Sequence, residues 1–191
     1  MIDFCVLGSG IAGSTIANLL SKKYSVHVFD KARGAGGRSS NKKLKGNLSF
    51  DHGVQYISPK SKVFTKIIQK LSKKKILKTW DGNHLDFTFE KKTLNPKYIG
   101  VKANNALSKY YLKNIKTSFS SQIVKIEHKK YFWEIKLDDN SKHQFKALIL
   151  TCPFPQLKKL AGRYLEKKVS NLKIQMQPNI TVMVALTNKK E

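Results

Sequence analysis

Apolar positions along this chain change their period several times, and each period predicts an element. Ile2-Asp3-Phe4-Cys5-Val6-Leu7 is a short run with β-branched and aromatic members, the composition of a buried strand. Ile11, Ile16, Ala17, Leu19 and Leu20 then form a helix-like stripe ending near Ser21-Lys22-Lys23, and Val26-His27-Val28-Phe29 is a second apolar run, closed by Asp30. Val63, Phe64, Ile67, Ile68 and Leu71 predict a lysine-covered helix between Ser61 and Lys75; Ala106, Leu107, Tyr110 and Tyr111 predict another, after Tyr98-Ile99-Gly100-Val101. Ile76 to Lys92 alternates weakly around a turn at Trp80-Asp81-Gly82-Asn83. Gln122–Glu127 and Tyr131–Leu137 read as antiparallel neighbours, with Tyr131, Trp133, Ile135 and Leu137 on one face. Phe145–Thr151 is apolar on both faces, as in a buried parallel strand, and Asn179–Thr187 reads as a last apolar strand.

The first two strands and the helix between them frame Gly8-Ser9-Gly10-Ile11-Ala12-Gly13, a G-x-G-x-x-G. Gly8 suits the tight turn out of the strand, Gly10 leaves the backbone open to a pyrophosphate, and Gly13 permits close packing of helix on sheet. A helix N-terminus supplies unpaired N–H groups and partial positive charge for the phosphates. Asp30 stands 22 residues after Gly8, at the tip of the second strand, where its carboxylate suits the adenosine ribose hydroxyls. That acid disfavours a 2′-phosphate, so FAD or NAD fits better than NADP. The expected class is therefore α/β, with a Rossmann-like FAD/NAD(P)-binding domain.

Two further stretches carry candidate chemistry. Lys31-Ala32-Arg33-Gly34-Ala35-Gly36-Gly37-Arg38 is too glycine-rich for helix or strand and makes a loop whose backbone approaches something closely. Arg38 is one of three arginines, with Arg33 and Arg163, in a lysine-rich chain; its planar fork suits a phosphate or carboxylate, and a flexible linker remains the alternative. Leu48–Ile57 reads as a strand, a turn at Gly53, and a second extended piece.

Composition changes this picture little. The chain has 191 residues with 40% hydrophobic content, enough for one well-buried domain or one domain and part of another. Its 37 basic against 12 acidic residues give +25, almost all lysine and spread along the chain, so solvated faces are favoured over specific nucleic-acid recognition. Cys5 and Cys152 lack C-x-x-C partners and read as buried reduced thiols, which points to the cytoplasm; the five histidines lack metal-ligand spacing. No apolar run approaches the ~18 residues of a membrane span, and the N-terminus carries no secretory pattern.

The glycine turn, Asp30-Lys31, Gly36-Gly37-Arg38 and Asp51-x-Gly53-Val54-Gln55-Tyr56 together resemble the FAD-dependent amine oxidase superfamily, in its renalase-like branch. Tyr98, Gly100, Asn105, Ala106 and Leu107 extend the resemblance to mid-chain, and Cys152-Pro153-x-Pro155 resembles the family's strand exit, where a ligand-lining turn and a plain helix start are equally compatible. The resemblance implies flavin contacts at Ala12, Gly37, Arg38, Gln55 and Tyr56, and a backbone contact to adenine at Ile123. His52 stands where the family usually has an apolar residue.

It also implies a domain division: 1–75 for the dinucleotide-binding core, 76–101 for the start of a β-rich substrate-domain insertion, 102–162 for the return, and 163–191 for an incomplete second substrate-domain portion. The family continues past this point to a glycine-aspartate turn that contacts the flavin, so the fold is expected to be truncated before that segment. A fragment, a decayed enzyme, or a half completed by a second polypeptide would each give this pattern. The implied function is flavin-mediated hydride removal from a small reduced substrate, with NAD(P)H as electron donor or substrate. No protein catalytic residue is nominated. The alternatives are a non-catalytic FAD/NAD-binding module and, more remotely, a charge-driven polyanion binder.

Overall fold

A computed structural model describes residues 1–45, 48–81 and 96–185. β1 (Ile2–Leu7), α1 (Ile11–Leu20) and β2 (Val26–Phe29) follow one another as the apolar periods predict. β3 (Asn41–Lys43) and β4 (Ser49–Asp51) form an antiparallel pair. Ser61 caps α2 (Lys62–Lys73) by accepting from the Phe64 N–H at 3.2 Å, a contact worth ~1 kcal/mol. β5 (Leu77–Thr79) pairs antiparallel with β6 (Tyr98–Gly100), and α3 (Ala106–Leu112) leads to β7 (Lys116–Ser118). β8 (Ile123–His128), β9 (Trp133–Leu137) and β10 (Lys142–Leu150) form a meander, and α4 (Phe154–Ala161) and the short α5 (Lys167–Ser170) follow.

The main sheet has the order β7-β2-β1-β10-β9-β8. β7, β2, β1 and β10 are mutually parallel, whereas β10 with β9 and β9 with β8 are antiparallel. β10 serves both arrangements: Lys142–Phe145 pairs with β9, and Phe145–Leu150 pairs with β1.

Strand alternation sends side chains to two cores. Val6, Val26 and Val28 point to one face and pack with Ala17 and Leu112 from α1 and α3. Cys5, Phe29 and Phe145 point to the other and pack with Ile123, Ile126, Ile135 and Leu137 of the meander and Ala161 of α4. Each large side chain buried there contributes roughly 1.5–3 kcal/mol. A third cluster joins Ile68 and Leu71 of α2 to Ile57, Leu77 and Leu107.

Several expectations need correction. Asn179–Ala185 forms no strand: it pairs with no described strand, and Ile180 is 92% and Val182 79% exposed. Leu186 and Thr187, the end of that expected strand, lie outside the described residues, as do Gly82 and Asn83 of the expected turn and the alternating stretch through Lys92. Tyr131 falls before β9 and is 76% exposed rather than sharing the buried face. Cys152 is only partly buried, since it follows the end of β10 where the chain leaves the sheet. Pro155 sits in the first turn of α4, so the break after β10 starts a helix.

Candidate functional site

The glycine turn sits where β1 ends and α1 begins, at the C-terminal end of the parallel strands. Gly8 has φ +104°, and the Gly8 N–H donates to the Phe29 carbonyl at 2.8 Å, which ties the turn to the end of β2. A Cβ on Gly13 would strike the Gly8 carbonyl oxygen, so only glycine lets α1 start this close to the strand. Gly10 is the N-cap of α1 and no side chain caps the helix. The N–H groups of Ile11, Ala12 and Gly13 in its first turn therefore have no intrahelical acceptor.

Asp30 reaches back to this turn. One carboxylate oxygen accepts from the Ser9 N–H at 2.7 Å and the Ser9 hydroxyl at 2.5 Å; the other accepts from the Ala32 N–H at 2.8 Å. Of the roughly four lone-pair positions on a carboxylate, one is left for a ribose hydroxyl. The turn itself uses most of the carboxylate's accepting capacity.

The second glycine loop lies against the first. The Gly36 N–H donates to the Ser9 carbonyl at 3.1 Å, and Gly10 and Gly36 form an isolated parallel bridge. Gly37 has φ +54°, and a Cβ there would crowd the Gly10 Cα at 3.1 Å, so glycine suits this position on both counts. The loop then holds the next segment. The Arg38 carbonyl accepts from the Val54 N–H at 3.0 Å, and a Cβ on Gly53 would collide with that same carbonyl.

From Asp30 to Ser9, Gly36, Arg38, Val54 and Gln55 the frame is continuous. Along it Ala12, Lys31, Gly37, Arg38, Gln55 and Tyr56 are exposed, whereas Ser9 and Gly13 are buried beneath. The Arg38 guanidinium has no hydrogen-bond or ionic partner among the described residues. Ile123 is set apart from this frame: it is buried at the start of β8 in the core cluster that includes Phe29, the residue before Asp30. Lys31 lies near Cys152, whose thiol is pushed up by burial with a small opposing effect from the Lys31 charge.

Thr151 and Asn104 belong to this frame without a local sequence signal, and they join Asp51 of the Asp51-x-Gly53-Val54-Gln55-Tyr56 stretch. The Thr151 hydroxyl, at the end of β10, donates to the Leu7 carbonyl at 2.8 Å and lies beside Gly8. Asp51 accepts from the Asn104 N–H at 3.0 Å. Asn104 donates through its amide to the carbonyls of Val54 at 2.7 Å and Gln55 at 3.0 Å.

A family model described as an NAD(P)-binding Rossmann-like domain matches residues 6–71, the stretch that carries both glycine loops. Renalase from Mus musculus is 30% identical over 168 residues, which cover 82% of this chain and 48% of that protein. The chain is a homologue of renalase. It spans about half the length of that relative.

Among solved structures, a putrescine oxidase double mutant from a redesign of its cofactor binding superposes with a TM-score of 0.63 at 12% identity, over 83% of this chain and 60% of that one. A protein from Exiguobacterium sp. 255-15 assigned as a protoporphyrinogen oxidase gives a TM-score of 0.67 at 8% identity, over 89% and 63%. These likenesses establish the shared α/β fold. No helix among the described residues is long and apolar enough to cross a membrane, and no group of three or more His, Cys, Asp or Glu among them could hold a metal ion.

Proposed function

We propose that this chain binds FAD and forms the cofactor-binding part of a flavin-dependent oxidoreductase that removes hydride from a small reduced substrate. The observation that carries the reading is the continuous frame from Asp30 through Ser9 and the two stacked glycine loops to Val54 and Gln55. It presents, in order, a carboxylate for a ribose, an uncapped helix N-terminus for two phosphates, an arginine fork, and an exposed Gln55-Tyr56 pair for a flat ring.

Each residue then has a task. Asp30 orients the ribose through its one remaining acceptor position. The first-turn N–H groups of Ile11, Ala12 and Gly13 receive the phosphates, and Arg38 neutralises their charge bidentately. Gln55 and Tyr56 line the ring, and Ile123 lies by the adenine. When bound, FAD supplies hydride acceptance; the chain binds, orients and tunes it. NAD(P)H enters as electron donor or substrate, and the protein works in the cytoplasm. Residues 1–75 and 102–162 supply the cofactor domain, and 76–101 and 163–191 belong to a substrate domain.

The second reading is a cofactor-binding module without turnover, or one half of a site completed by a second polypeptide. The visible spectrum of the purified chain separates these readings. A flavin band bleached by NADH supports turnover, an FAD-binding chain that NADH does not reduce supports the module, and failure to take up added FAD removes the flavin assignment.

A further inference from the structure

We propose that the consecutive asparagines Asn104 and Asn105 are positioning residues that set the seat of the ring end of the cofactor, independently of its adenosine end. The inference rests on the FAD reading above and assigns roles to residues which that reading does not use.

Both asparagines lie at the N-terminal end of α3, and both are buried, at 2% and 5% exposure. Each reaches a different segment of the frame. The Asn104 amide N–H₂ donates to the carbonyls of Val54 and Gln55 at 2.7 and 3.0 Å, and its oxygen accepts from the Gly100 N–H at 2.9 Å. Its own backbone N–H is held by Asp51 at 3.0 Å. The Asn105 amide donates to the Ala35 carbonyl at 3.1 Å, immediately before the second glycine loop. A Cβ on Gly36 would lie 2.8 Å from the Asn105 Cβ, so the loop rests directly on this side chain.

Neither segment lies in a strand at this point, so side-chain amides supplement the few backbone bonds there. Residue type matters for Asn104, because only a short planar amide both donates twice and accepts once. An aspartate would set its charge against two carbonyls, and a leucine would remove the partner of two part-buried acceptors and one buried donor. Asn105 is the more telling of the two. Its amide oxygen is buried with no hydrogen-bond partner among the described residues, as is the Ser108 hydroxyl one helical turn on. An unpaired buried acceptor is destabilising, so stability alone would favour an apolar residue; the donor arm to Ala35 is what the position retains. One helix end therefore holds both the Gly36–Arg38 loop and the Gln55–Tyr56 segment, which also meet directly through the Arg38 carbonyl and the Val54 N–H. The Asp30 carboxylate is held by Ser9 and Ala32 and by neither asparagine.

The test compares two ligands that share the adenosine and pyrophosphate. FAD and ADP-ribose are titrated calorimetrically into the 191-residue wild type, Asn104→Ala and Asn104→Asp, with circular dichroism to confirm folding. Asn104→Asp keeps an acceptor for Gly100, so it carries the test if the alanine variant does not fold. The expected result is ADP-ribose affinity within about twofold of wild type, FAD affinity weakened about tenfold or more, and a changed absorption envelope of the bound flavin. Equal weakening of both ligands would show a general structural role and overturn the proposal, as would unchanged FAD affinity and spectrum. A wild type that binds neither ligand, or binds FAD no better than ADP-ribose, would instead overturn the FAD reading beneath it.

Discussion

Ser9 gives both its backbone N–H and its hydroxyl to a single oxygen of Asp30, at 2.7 and 2.5 Å. This couples the first glycine turn to the tip of β2 before any ligand arrives, and it leaves the carboxylate pre-oriented. Replacing Asp30 by alanine removes the proposed ribose acceptor and strands the two Ser9 donors. ADP-ribose affinity should fall at least tenfold, since hydrogen bonds to charged groups are worth ~1.5–3 kcal/mol, and the melting temperature should fall as well. Calorimetric titration with a parallel thermal melt checks both.

Gly10 and Gly13 should respond oppositely to an added methyl group. A Cβ on Gly10 meets only Gly36 and Gly37 atoms at 3.8 Å, an ordinary contact, whereas one on Gly13 strikes the Gly8 carbonyl. Gly13→Ala should therefore cost ~1–3 kcal/mol of folding stability by overpacking. Gly10→Ala should leave denaturant unfolding nearly unchanged while weakening nucleotide binding. Urea melts paired with ADP-ribose titrations distinguish the two effects.

Arg38 should not be replaceable by lysine. Its side chain is exposed and without a partner among the described residues, so the fold does not depend on it. Arg38→Lys exchanges a bidentate fork for a point charge, and FAD affinity should drop about fivefold or more with stability unchanged. An unaltered affinity would return Arg38 to the role of a linker residue.

His27 makes stability depend on pH. Burial, followed by the charges of Lys116 and His143, holds its imidazole down to about 4, from an ordinary 6.5. The unfolded chain therefore binds a proton at a pH where the folded one does not, and stability is lost as pH falls from 6.5 towards 4. The loss attributable to this group approaches ~3 kcal/mol. His27→Leu should flatten that part of the profile, measured as the difference between wild-type and variant urea midpoints across the window.

Local pattern and long-range contact were not equally legible in the sequence. β1, α1 and β2 could be read because period, turn glycines and terminal acid all act within thirty residues. The helices α2 and α3 were legible for the same reason. β7, with Lys116-Thr117-Ser118, was not: it is a short polar edge strand whose place depends on pairing with β2. Asn104 was silent because its partners Val54 and Gln55 lie about fifty residues away, as was Thr151 with a partner 144 residues distant. Asn179–Ala185 misled in the other direction, since strand-forming composition alone does not supply a neighbouring strand.

The most direct measurement is a calorimetric titration of ADP-ribose into the wild-type chain and into Gly10→Val, because it isolates the ligand's two phosphates and sugars from the flavin ring. Saturable one-to-one binding to the wild type, lost in a folded Gly10→Val, is the predicted result. Absence of binding to the wild type, or equal binding to both proteins, would contradict a pyrophosphate seated at the start of α1.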